Sequence, residues 1–148
     1  MALGWGLIGP GLHADKRILP AIKQSASSKL IGVCHYNKEK ADFFAKRYEA
    51  KRSYTTMEEM LADHEIQVVD VATPETMHKE QVIKAAQAGK HVRCEFPLAL
   101  TADECQEMLT ACDKAKVKLA TGFAWAQHPA HIEMKKRVAN GSLGEIRF

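Results

Sequence analysis

A short apolar run, Leu3 to Ile8, hands over to a glycine-rich turn, Gly9-Pro10-Gly11-Leu12-His13-Ala14, which opens a segment of helical period. This junction constrains the fold more than any other stretch of the chain. Gly9 suits a tight bend, Gly11 lets a pyrophosphate approach the backbone, and Ala14 is small enough for the helix to lie on the strand. A phosphate at that corner meets free N–H groups and the positive end of the helix dipole. Three small residues at this spacing also recur by chance, so the motif takes its meaning from the strand before it and the helix after it.

The same alternation continues to the other end. Apolar runs at Leu3–Gly9, Lys29–His35, Arg52–Tyr54, Ile66–Ala72, Lys90–Glu95 and Val117–Phe123 read as strands. The fourth, with Val68, Val69 and Val71, has the β-branched density of a strand buried on both faces of a parallel sheet. Between them lie helices with start signals. Asn37 caps a helix whose inner face is Ala41, Phe44, Ala45 and Tyr48, and Thr56/Glu59 and Thr101/Glu104 form reciprocal capping boxes. One stripe after Thr101 carries Cys105, Met108, Leu109 and Cys112; Gly89 stops the helix Gln81–Ala88, and Pro20 kinks or divides the first helix. Right-handed crossovers then give an α/β, doubly wound parallel sheet, a Rossmann fold in order 3-2-1-4-5-6. Ligand belongs at the carboxyl ends of the first and fourth strands, where the order reverses.

Composition narrows the function. A chain of 148 residues is one domain in size, and its 46% apolar and 26% charged residues are ordinary for a globular protein. A net charge of +3, with both signs interleaved, argues for neither nucleic acid nor anionic membrane. No apolar stretch approaches the roughly 18–20 residues of a membrane span, and no secretory leader is legible, so the cytoplasm is expected. Cys34, Cys94, Cys105 and Cys112 form no C-x-x-C pair and read as core residues. His128 and His131 lack a third ligand at suitable spacing and read as a helix start, not a metal site.

Several further strings occur in order: Leu19-Pro20-Ala21, Val71-Ala72-Thr73-Pro74-Glu75-Thr76-Met77-His78, Ala88-Gly89-Lys90-His91-Val92, Cys94-Glu95-Phe96-Pro97-Leu98-Ala99-Leu100, Gly122-Phe123, His128-Pro129-Ala130 and Gly141-Ser142-Leu143-Gly144-Glu145-Ile146. Together with the glycine turn, they make the chain resemble the N-terminal domain of the glucose–fructose oxidoreductase, inositol dehydrogenase and rhizopine-catabolism (Gfo/Idh/MocA) family. The resemblance covers essentially every residue. It implies an NAD(P)-binding domain of an oxidoreductase that moves hydride between a nicotinamide and a small hydroxyl or carbonyl substrate such as a sugar or cyclitol. It further implies that Gly9, Gly11, Leu12 and His13 cradle the pyrophosphate. Thr73 and Pro74 would line the cofactor near its ribose, His78 would pack the turn beneath, and Glu95 and Phe96 would lie beside the nicotinamide half.

The chain departs from that family in four places. Phe96 stands where a catalytic lysine is usual, and it has no proton to give; the biliverdin-reductase branch carries a tyrosine there. His35 stands where many NAD-using relatives carry an aspartate, which removes a repulsion towards a 2′-phosphate. His35, Asn37 and Lys38 could contact that phosphate while Tyr36 stacks on adenine, so NADP is favoured over NAD. An arginine usual before the Pro129 motif is missing from Ala124-Trp125-Ala126-Gln127, where Trp125 either covers the nicotinamide or packs in the core. Lastly, residues 1–125 read as the dinucleotide-binding domain and 126–148 as a connecting helix plus the first strand of a second substrate and oligomerisation domain. No catalytic residue is assigned, and a homo-oligomer is possible. A second reading is a catalytically silent NAD(P)-binding sensor or partner module, motivated by Phe96 and the missing domain; a third is a decayed domain that binds nothing.

Overall fold

The six apolar runs form one parallel sheet in a computed structural model that describes residues 2–147. Strands β1 (Leu3–Ile8), β2 (Ser28–Cys34), β3 (Arg52–Tyr54), β4 (Val68–Val71), β5 (His91–Cys94) and β6 (Leu119–Thr121) lie in the order β3-β2-β1-β4-β5-β6. Every ladder is parallel, and β1 pairs with both β2 and β4, so the order reverses at β1. The helices are α1 (Leu19–Gln24), α2 (Lys38–Arg47), α3 (Met57–Leu61), α4 (His78–Gln87), α5 (Ala102–Ala115) and α6 (Pro129–Ala139).

Apolar side chains leave the sheet on both faces, as a doubly wound fold requires. On one face Val69, Val71, Val92 and Cys94 meet Val82, Ala85 and Ala86 of α4 and Met108 and Cys112 of α5. On the other, Leu7, Leu30 and Val33 meet Ala14, Ile18, Leu19, Ile22 and Ala45. Pro20 does divide its helix. A five-residue π-helical turn, Ala14–Ile18, precedes α1, and the Leu19 amide bonds back to Ala14. The wider turn lets the chain accommodate a residue with no N–H and a bulky ring.

Local signals fare unevenly. Asn37, Thr56 and Thr101 each accept from the amide three residues on. The reciprocal half of the capping boxes is not formed as expected. The Glu104 carboxylate takes the Leu100 amide, one residue early, and no return bond from Glu59 is seen. On α5, Met108 and Cys112 are buried but Leu109 is exposed, because the stripe facing α4 is narrower than four residues. Gly89, with φ +71°, ends α4 as expected.

One part of the sheet lacks its usual cover. Helix α6 packs on the 3₁₀ turn Ala124–Gln127, not on the sheet, and buries no residue. Residues 145–147 are irregular, so the strand expected there is not formed among the described residues, and Phe148 lies outside them. Among the described residues no helix is long and apolar enough to cross a membrane.

Candidate functional site

The crevice forms where β1 and β4 separate. At the end of β1 the Gly9 amide donates to the Cys34 carbonyl at 2.9 Å, and the Ala72 amide donates to Ile8 at 3.0 Å. The first bond ties the turn after β1 to the end of β2, and the second holds the start of the turn after β4 against the end of β1. Gly9 has φ +70°, and a Cβ placed there would stand 2.3 Å from Thr73 Cγ2. Gly11 is the opposite case. A Cβ there would meet nothing within 4 Å, and its backbone is not left-handed. Packing therefore does not require a glycine at 11, and the space in front of it is open. The helical segment starts at Leu12, with the Asp15 amide closing its first turn on the Gly11 carbonyl at 2.9 Å. The first amides of such a segment have no carbonyl partner one turn earlier and point out of its end.

In front of this end lies a cavity of about 490 Å³ whose walls include Gly11, His13, Thr73, Glu95, Phe96 and Trp125. Five of the sequence-predicted site residues thus come together. Gly9 lies behind the wall, shaping the turn. Leu12 is exposed at the rim, and Pro74 is exposed just beyond Thr73. The Thr73 hydroxyl donates to Gln81 Oε1 at 2.6 Å, fixing the turn to α4. Trp125 is not a core residue: it is exposed and its ring stacks on His131.

His78 does not reach the cavity. It is fully buried, with Nε2 2.8 Å from the Thr73 carbonyl and Nδ1 3.0 Å from that of Pro97. It ties the turn after β4 to the Phe96–Pro97 turn after β5, whose peptide bond is cis. Its place is support beneath the wall, not contact with a ligand.

His35 and Tyr36 follow β2 at the far side of the crevice and are not among the cavity walls. Their rings lie 4.4 Å apart, with Tyr36 exposed. His35 Nδ1 accepts from the Asn37 amide at 2.9 Å, which leaves Nε2 as the protonated nitrogen. Burial and the neighbouring Lys40 charge lower its pKa, favouring the neutral ring. Lys38 is spoken for, since both Asp42 carboxylate oxygens accept from it at 2.8 Å.

The unforeseen part of the site is charged. Asp70, within the β-branched run of β4, is wholly buried, and Arg93 on β5 is its register partner. Arg93 Nη1 donates to Asp70 Oδ2 at 2.7 Å, while Nη2 lies 2.7 Å from Glu95 Oε1. His13 Nε2 stands 3.6 Å from that same Glu95 oxygen. Asp70 and Arg93, with Trp5, Arg17 and Trp125, also wall a second cavity of about 620 Å³ on the uncovered sheet face. An Asp inside an otherwise apolar strand, with an Arg at the matching place in the next strand, was the available signal.

Burial pushes the Asp70 carboxyl from 3.8 up to about 6, even though Arg93 opposes the shift. The folded protein therefore binds more protons than the unfolded chain between those values. Asp70's contribution to stability is fullest below about pH 4 and is lost as pH rises through about 6. The unfolding free energy of the parent minus that of Asp70→Asn is expected to fall across this window and level off above it. Denaturant titrations at pH 4, 5, 6 and 7 check this; a difference that does not change with pH would contradict it.

Comparison with known proteins adds to this geometry. Residues 3–123 match the model of the Gfo/Idh/MocA oxidoreductase family, NAD-binding Rossmann fold. Over 140 residues the chain is 33% identical to 1,5-anhydro-D-fructose reductase of Ensifer adhaerens, covering 95% of this chain and 42% of that protein. It is similar over almost its whole length to an NAD binding oxidoreductase from Klebsiella pneumoniae, with TM-score 0.85 and 32% identity, covering 98% of this chain and 40% of the other. A 3-ketoreductase from Actinomadura kijaniata, crystallised with NADP and TDP-benzene, shares the fold with TM-score 0.93 at 24% identity, covering 99% and 46% of the two chains. The chain thus spans less than half the length of the relatives it matches.

Proposed function

The chain belongs to the Gfo/Idh/MocA oxidoreductase family, and from that premise we propose that its crevice binds the dinucleotide of an enzyme acting on a small hydroxyl or carbonyl compound. The observation that carries the placement is the open ground before Gly11 at the start of a helical segment. Amides from Gly11 to His13 receive the pyrophosphate, where the helix end favours negative charge. Thr73, held by Gln81, lines the ribose side, and Pro74 continues that edge. His35 donates from Nε2 and Tyr36 offers its exposed ring to the adenosine end.

A bound nicotinamide supplies a two-electron hydride donor or acceptor. The residues of this chain supply position and shelter for it. Glu95 presents a carboxylate beside His13, and Phe96 with Phe123 forms an apolar wall, their rings 5.4 Å apart. Phe96 has no titratable group, so the proton that accompanies hydride transfer to a carbonyl comes from elsewhere. We place that donor, and most substrate contacts, in a second domain to which residues 126–148 connect. Support comes from α6, which exposes Ile132, Met134 and Val138, and from relatives more than twice as long. Sugar-type substrates are in keeping with the name of the 1,5-anhydro-D-fructose reductase, and the relatives' names give no support to a catalytically silent module. The same surface on α6 is available for contact between copies. Four free thiols suit a reducing, cytoplasmic setting.

Titration with NADPH and with NADH, following reduced-nicotinamide fluorescence, tests the reading. Saturable enhancement with at least one of them is expected. No enhancement with either at millimolar concentration would overturn it. Tighter binding of NADPH is expected because no carboxylate stands at position 35 to repel a 2′-phosphate.

A further inference from the structure

A buried carboxylate in a strand of valines calls for a reason. Asp70 has no exposure at all, and its Oδ1 has no hydrogen-bond partner among the described residues. Burying such a pair is costly, and a well-packed apolar residue is often at least as stabilising in its place. Stability alone therefore does not account for Asp70, and a half-satisfied buried charge asks for another explanation.

The geometry offers one. Arg93 reaches from Asp70 to Glu95, and Glu95 is the carboxylate in the cavity wall. The backbone around this bridge is pinned: the Glu95 amide donates to Val71 at 3.0 Å and the Gly122 amide to Cys94 at 2.7 Å. Gly122 leaves the end of β6 flat against the bridge. A Cβ there would stand 2.7 Å from Arg93 Nη2 and 2.9 Å from Glu95 Oε1. Four pieces of chain (β4, β5, the end of β6 and the glycine turn carrying His13) thus converge on one carboxylate. The Arg93–Glu95 contact is close but poorly aligned as a hydrogen bond, so Asp70 is the anchor that fixes the guanidinium plane.

We propose that Asp70 and Arg93 are positioning residues: they form a charge bridge from the sheet interior that holds Glu95 in the orientation needed by the nicotinamide half of a bound dinucleotide. This rests on the dinucleotide reading given above. The groups facing Asp70 are Arg93, Glu95 and His13, so its charge and theirs are coupled. Without Arg93, Glu95 faces only His13 and is free to turn. Without Asp70, the guanidinium loses its well-aligned partner and no longer has a fixed plane.

The test separates the two halves of the dinucleotide. Dissociation constants for NADPH and for 2′-phospho-ADP-ribose, which lacks the nicotinamide, are measured on the parent, Arg93→Met, Arg93→Lys and Asp70→Leu, together with unfolding midpoints. NADPH binding to Arg93→Met and Asp70→Leu is expected to weaken about tenfold, the loss of one hydrogen bond to a charged group. Binding of the fragment is expected to stay within about twofold, because its pyrophosphate and adenosine are held by backbone amides and by residues after β2 that the bridge does not touch, and it lacks the nicotinamide that Glu95 faces. Arg93→Lys is expected to recover only part of the loss, since an ammonium cannot reproduce the planar fork. A ratio of the two affinities unchanged from the parent, or equal loss of both probes, would overturn the positioning role. Should Arg93→Met fail to fold, Arg93→Lys and Asp70→Leu decide the matter by the same ratio. A parent that binds neither probe would overturn the dinucleotide reading itself, a distinct result.

Discussion

Gly11→Val is expected to lose dinucleotide binding by about a hundredfold or more, while its unfolding midpoint stays within a degree or two of the parent. Both halves of that expectation come from the same observation. A Cβ at Gly11 would touch nothing in the protein, and the backbone there is not left-handed, so the fold tolerates a side chain. The branched methyls would instead occupy the ground on which a pyrophosphate must approach the amides. Forcing extra carbons into filled space costs on the order of 1–3 kcal/mol, which at its upper end is that loss of affinity. Fluorescence titration with NADPH alongside thermal unfolding checks both halves. Unchanged affinity would mean that the phosphates lie elsewhere.

Gly9→Ala is expected to act in the other direction, on folding first. At φ +70° an alanine carries a left-handed strain of about 1–2 kcal/mol. Its Cβ would also lie 2.3 Å from Thr73 Cγ2, an overlap that only a shift of one turn relieves. Together these are expected to lower stability by about 2–4 kcal/mol. Thr73→Ser removes the methyl that is struck, so adding it to Gly9→Ala is expected to recover the overlap part and leave the backbone part. A denaturant-unfolding double-mutant cycle measures this coupling. Additive effects would show that Gly9 and Thr73 do not meet.

The two glycines show how much of the site could be read from residues alone. Both belong to one motif, and the sequence assigns both to a phosphate turn. It does not reveal that Gly9 is needed by the protein and Gly11 is not, because that depends on what stands opposite each. The strands and their order were legible, since short apolar runs separated by capped helices leave few arrangements open. The Asp70–Arg93 bridge was not. The two are 23 residues apart, and only the register of β4 on β5 brings them side by side. His78 reads as a turn-packing residue, but its burial between two turns depends on how the loop after β5 folds back. Lys38 looks available to a phosphate until Asp42, four residues on along the helix, is seen to hold it. Leu109 has the spacing of a core residue and still faces outwards, because α4 covers only a narrow strip of α5.

Backbone amide shifts, recorded by ¹⁵N NMR while NADPH is added, test the central claim most directly. The account predicts the largest saturable changes at Gly11, Leu12, His13 and Ala14, with smaller ones at Thr73 and Glu95, and their loss in Gly11→Val. Changes centred on another edge of the sheet, or none at all at those four amides, would contradict it.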